Sequence, residues 1–206
     1  MKKTGPNKSE TDQMPAFEGL TLTQVFLPAS ADDVARAVAA VRAAGVAGFD
    51  TESRPTFRPG EISTGPHVVQ FALADRALLF QLHHAACEQA VRELLEDEAV
   101  VKAGFGLSAD RSQIRARLGA DMRAVLDLDH LFRRRGYISS LGVRAAVGLV
   151  LGRNFRKSKS VTTSNWSVPQ LSDAQKLYAA NDAYAALCVL NALAPSADEL
   201  ALAQRR

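Results

Sequence analysis

The residues of this 206-residue sequence best suited to chemistry are acids at a strand end and on a helix of small side chains. Asp50-Thr51-Glu52 closes the apolar run Val46-Ala47-Gly48-Phe49. Alternate side chains of a strand share a face, so Asp50 and Glu52 point the same way. Adjacent carboxylates repel unless a cation lies between them or one takes a proton. Hard divalent cations such as Mg²⁺ seek such oxygens; a solvent-facing pair at a strand end is the alternative. Asp110 follows Gly104-Phe105-Gly106 and falls in the first turn of a helix. Taken alone, it reads as a carboxylate favoured by the helix dipole. Tyr178 and Asp182 are four apart, hence on one helical face, among Ala179, Ala180, Ala183, Ala185 and Ala186. Small side chains let that helix lie close to a sheet, where a lone charge is costly. A metal shared with Asp50 and Glu52 would partner Asp182; a core tyrosine beside a solvent-facing aspartate is the alternative.

The elements that must position these groups follow from periodicity and punctuation. Ser30 is an N-cap candidate ahead of Asp32 and Asp33, and Val34, Val38 and Val41 make a helical stripe that Gly45 ends. Strands are expected at 46–50, 68–73 and 77–82, the last two joined by the Asp75-Arg76 turn as an antiparallel hairpin. Helices at 86–96 and 108–118 then alternate with strands at 100–105 and 124–128, and a long helix covers about 172–193. Leu20 to Leu27 reads as a first strand or an entry segment, and a short helix is expected after Pro195. The order β-β-β-α-β-α-β-α predicts an α/β fold with a mixed five-stranded sheet flanked by helices. Residues 1–15 are polar and read as a flexible tail, with a single domain over 16–206.

In this order and on these elements, the three motifs resemble the DEDD superfamily of 3′→5′ exonucleases, whose fold is ribonuclease-H-like. The likeness is nearest to the Werner-type exonuclease domain and ribonuclease D. D-x-E after a strand is matched by Asp50 and Glu52, an Asp after a Gly-rich strand end by Asp110, and Y-x-x-x-D on a late helix by Tyr178 and Asp182. The stretch 157–172, with Ser164-Asn165-Trp166, is similar to the approach to the last motif, and the resemblance covers about residues 20–195. A sister group carries His five residues before the last Asp; Leu177 stands there, so the tyrosine subclass is implied. The resemblance implies two divalent ions, Mg²⁺ or Mn²⁺. Asp50, Glu52 and Asp182 would hold one, and Asp50 would bridge to a second reached by Asp110 directly or through water. It also implies that Tyr178 orients the attacking water, and that nucleoside 5′-monophosphates leave the 3′ end of single-stranded or 3′-ended DNA or RNA.

Candidates for nucleic-acid contact are Thr51, Leu107 (a wedge near the terminal base), and Arg153, Arg156, Lys157 and Lys159 ahead of the catalytic helix. Trp166, the only tryptophan, is a stacking candidate, with a place in the core the favoured alternative. A second basic run is Arg133-Arg134-Arg135. The four histidines lie outside the motifs and are expected at the surface or edges.

Composition fits this reading without deciding it. Hydrophobic residues make up 47% and charged residues 23%, the mix of a globular domain. A net charge of +3 leans mildly towards polyanions. Cys87 and Cys188 form no CxxC and suit a reducing compartment, so a cytoplasmic location is expected. No membrane partner is expected, since no apolar run reaches the roughly 18 residues of a span. About two dozen residues follow Asp182, so the domain is expected to stand without the extra domains of ribonuclease D or a helicase. A catalytically degenerate nucleic-acid-binding relative would have lost a carboxylate, and all four are present. A phosphatase with a strand-end nucleophile would want D-x-D and leaves Tyr178 and Asp182 unexplained.

Overall fold

The computed structural model describes residues 3–58 and 60–204. Its centre is a mixed sheet whose middle strands are buried on both faces. The strands are β1 (Val25–Phe26), β2 (Val46–Glu52), β3 (Val68–Ala72), β4 (Ala77–Gln81), β5 (Val101–Gly104) and β6 (Val125–Asp127). Their order is β1-β4-β3-β2-β5-β6. β2, β3 and β4 form an antiparallel meander, while β5 and β6 add parallel to β2 through helical crossovers. That is the predicted mixed sheet with one strand more. β1 pairs parallel with β4 over Val25↔Ala77 and Phe26↔Leu78 only. Two residues are too few to show an alternating pattern in sequence.

The helices are α1 (Lys8–Asp12), α2 (Ala31–Ala44), α3 (Ala85–Glu96), α4 (Ser108–Leu118), α5 (Leu128–Arg134), α6 (Val143–Leu151), α7 (Lys159–Thr162), α8 (Asp173–Leu193) and α9 (Ala197–Gln204). α2 begins as predicted: Ser30 caps the Asp33 amide at 3.1 Å, and Gly45 ends the helix at φ 66°. Val34, Val41, Leu94, Leu95 and Ile114, from α2, α3 and α4, pack with Phe49, Phe71 and Phe80 on one face of the sheet. The other face is covered by α8, with α6 beside it.

α8 lies unusually close to β2. A β-carbon at Gly48 would collide with the Ala183 carbonyl oxygen, so only glycine fits there. Ala179, Ala180 and Ala183, all buried, give the helix a matching low profile. This close approach brings Asp182 down onto the carboxyl end of β2.

The N-terminal residues correct the expectation of a flexible tail at 1–15. Residues 1 and 2 lie outside the described residues. From residue 3 the chain is folded, with Asn7 and Glu10 capping α1 reciprocally and Thr11 fully buried. Polar composition hid this segment, because it is anchored by a few contacts rather than an apolar face of its own.

Candidate active site

Asp50 and Glu52 leave β2 on the face that α8 covers, with Gln70 and Val68 as their cross-strand neighbours. Tyr178 and Asp182 descend from one turn of α8. Carboxylate oxygens of Asp50, Glu52 and Asp182 all lie within 4.8 Å of one another. Glu52 is 9% and Asp182 4% exposed, so solvent does little to separate their charges. Asp110 stands in the first turn of α4 and accepts a hydrogen bond from the Thr51 hydroxyl, tying the second motif to the first.

The loop that presents Asp110 is itself held. Gly106 turns it at φ 67°. The Gly106 and Leu107 amides donate to the Asp127 carboxylate at 3.2 and 3.0 Å. Asp127, the N-cap of α5, was not foreseen; its signal was an acid at a strand end directly before a helix.

Crowding sets the electrostatics. Burial first, and then Asp182, raise the Asp50 pKa well above the carboxylate range. Burial, followed by Asp50 and Asp182, pushes Glu52 up to about 10. Burial also raises Asp110 and Asp182. One cation offsets this: the Lys157 ammonium lies 2.7 Å from Asp182 Oδ2. Burial works against the Lys157 charge, but Asp182 and Asp50 outweigh it and raise its pKa. A single ammonium among three clustered carboxylates leaves the charge unbalanced. Hard carboxylate oxygens gathered from two elements fit divalent cations of the Mg²⁺ or Mn²⁺ kind, and Asp50, Glu52 and Asp182 could hold one ion.

Tyr178 accepts a hydrogen bond from the Thr162 hydroxyl at 2.8 Å, and burial followed by Asp182 pushes its phenol up to about 12. Lys157 sits over its ring, 5.5 Å from the centroid. Thr162 gave no sequence signal, because its link to Tyr178 joins α7 to α8.

The predicted nucleic-acid contacts divide. Lys157 points into the acid cluster. Arg156 and Lys159 are exposed and Arg153 is half-buried. Thr51 is half-buried, its hydroxyl spent on Asp110. Trp166 is corrected to a core residue: it is 1% exposed, bonds the Thr162 carbonyl at 3.4 Å, and lies 5.9 Å from the Tyr178 ring. It packs against Tyr178 and has no free face for a base. Leu107 is likewise corrected from wedge to core, at 2% exposed beneath Gly104. Both cysteines are free, Cys87 buried and Cys188 half-buried. Among the described residues, no helix is long and apolar enough to cross a membrane.

Comparison with known proteins agrees with this geometry. The chain is 31% identical over 151 residues to the bifunctional 3′-5′ exonuclease/ATP-dependent helicase WRN of Mus musculus, covering 72% of this chain and 11% of that protein. It is 29% identical over 143 residues to a 3′-5′ exonuclease of Arabidopsis thaliana, covering 67% of this chain and 49% of the other. It therefore spans half or less of these relatives. The EXO domain of Aedes aegypti Nibbler superposes with a TM-score of 0.72 at 22% identity, covering 91% of this chain and 94% of that one, which shows a shared fold. Residues 27–198 match the sequence pattern of the 3′-5′ exonuclease family, and the chain belongs to that family of hydrolytic nucleases.

Proposed function

We propose that this chain is a metal-dependent 3′→5′ exonuclease that removes nucleoside 5′-monophosphates from the 3′ end of DNA or RNA. The observation that carries the reading is the clustering of Asp50, Glu52 and Asp182 within 4.8 Å, with Asp110 linked through Thr51. Two divalent cations, when bound, supply an activated water and neutralise charge on the reacting phosphate. Asp50, Glu52 and Asp182 would hold the first, and Asp50 with Asp110 would hold the second. Tyr178 keeps its proton at neutral pH, since its pKa is pushed up to about 12. Its hydroxyl, fixed by Thr162, orients the attacking water rather than deprotonating it. Lys157, already aimed at the cluster, contacts the scissile phosphate.

Calorimetric titration with Mn²⁺ tests the metal set. Two ions per chain are expected, with one lost in Asp110→Asn and both weakened in Asp50→Asn. A single ion in the wild type, unaffected by Asp110→Asn, would remove Asp110 and the second metal from the account.

A further inference from the structure

The N-terminal segment 3–17 lies outside the residues that match the family, 27–198, yet it forms a wall of the active-site cavity. It is pinned at both ends. The Lys3 amide donates to the Gly136 carbonyl at 3.2 Å, and Lys3 accepts from the Ile138 amide at 3.1 Å. At the far end, the Phe17 amide donates to Asn154 at 3.0 Å, the Asn154 amide donates to Pro15 at 2.7 Å, and the Phe17 ring meets Phe155 edge-on at 5.4 Å. Between these anchors the strap crosses α6 at Gly148. A β-carbon there would come within 2.7 Å of Thr11 Cγ2 and 3.3 Å of Met14 Sδ and Pro6 Cγ. The position is glycine because the strap occupies that space.

The strap and α6 face the acids across a cavity of about 460 Å³. Asp50, Asp182 and Lys157 line it together with Lys8 of the strap and Arg144 of α6, and Phe105 adds an aromatic surface. A volume of that size is on the scale of small-ligand sites. Among the described residues, neither Lys8 nor Arg144 pairs with a carboxylate or makes a side-chain hydrogen bond. The carboxylates lining the cavity are those of Asp50 and Asp182. Two cations without a partner among the described residues thus share the cavity with the acids, one from the strap and one from α6.

Resting on the exonuclease reading, we infer that Lys8 and Arg144 bind backbone phosphates of the substrate strand on the 5′ side of the scissile bond, and that the strap exists to hold Lys8 there. The substrate class this fits is a single strand, whose phosphates can enter between the strap and the acids. Such contacts are sequence-independent and salt-sensitive, with each single-strand phosphate contact adding about 0.7 to the slope of log affinity against log salt.

The test uses the full chain carrying Glu52→Gln, which removes cleavage, and fluorescently labelled single-stranded oligonucleotides in metal-free buffer across a salt series. Lys8→Ala and Arg144→Ala should each lower affinity several-fold at low salt and lower the salt slope by about 0.7. Gly148→Leu, which displaces the strap without changing any charge, should reproduce Lys8→Ala. With Glu52 restored, all three variants should raise KM several-fold more on oligonucleotides than on the p-nitrophenyl ester of a nucleoside 5′-monophosphate, because that ester has no strand upstream. On oligonucleotides they should raise KM with little change in kcat. Binding by the parent with unchanged affinity and slope in Lys8→Ala and Arg144→Ala would overturn the inference alone. A parent that binds no oligonucleotide at low salt would overturn both the inference and the exonuclease reading.

Discussion

Replacing Glu52 with glutamine should stabilise the metal-free protein, and the size of the effect follows from the crowding of the acids. Burial, Asp50 and Asp182 push the folded-state pKa of Glu52 up to about 10, against an ordinary 4.5. For an acid with a raised folded pKa, the folded state holds a proton that the unfolded chain has released. Stability is therefore unaffected below the unfolded value and falls as pH rises above it. One pKa unit corresponds to about 1.4 kcal/mol, so the penalty reaches roughly 4 kcal/mol near pH 7.5 and under about 1 kcal/mol near pH 5. Relaxation around the site reduces the first figure, and about 2–4 kcal/mol is expected. Urea denaturation in EDTA from pH about 5 to about 8 measures it. The wild type should lose stability across that window, and Glu52→Gln should be more stable, with the gap widening as pH rises. Saturating Mn²⁺ should reverse the ranking, because the ion binds and stabilises the folded wild type in preference to the variant. Equal stability of the two proteins in EDTA, with parallel pH profiles, would show that these carboxylates do not strain the metal-free fold.

Other substitutions probe single features. Tyr178→Phe should slow cleavage about 10²-fold while leaving Mn²⁺ affinity unchanged; a wild-type rate would remove the phenol from the mechanism. Gln70, fully buried opposite Asp50, has neither side-chain polar atom hydrogen-bonded among the described residues. Gln70→Leu should therefore raise stability in denaturant by about 1–3 kcal/mol, and a loss would show that the amide has a partner in solution. Lys102 is buried with its ammonium on the Leu94 and Asp97 carbonyls at the end of α3, and burial pushes its pKa down from 10.5 to about 8. Between those values the unfolded chain binds more protons, so stability should rise with pH from about 8 to 10.5. In Lys102→Met that rise should vanish, which a pH series of melting temperatures would detect.

What was legible in the sequence was whatever local pattern determines. D-x-E at a strand end, glycines before Asp110, and Tyr178 four residues from Asp182 are short-range arrangements, and Ser172 caps the start of α8 as Gly119 ends α4. α4 spans the predicted 108–118, and α8 begins one residue after its predicted start. Contacts between distant segments were not legible. Lys157 reads as one member of a basic run, and only the packing of the 152–158 segment against α8 turns it onto Asp182. Trp166 and Leu107 have the right chemistry for a base but are consumed by the core. The strap is the clearest case: its five-residue helix shows no apolar stripe, and Gly148, which accommodates it, looks in sequence like an ordinary defect in α6.

Metal-dependent digestion from the 3′ end leaves a directly visible product pattern. Its most direct test is to incubate the protein with 5′-labelled single-stranded DNA and RNA in Mg²⁺, Mn²⁺ or EDTA and resolve the products on a denaturing gel. A ladder that shortens stepwise from the 3′ end is expected in Mg²⁺ or Mn²⁺, and none in EDTA or in Asp182→Asn. Cleavage that persists in EDTA or in Asp182→Asn, or that releases the 5′ label as a mononucleotide first, would contradict it.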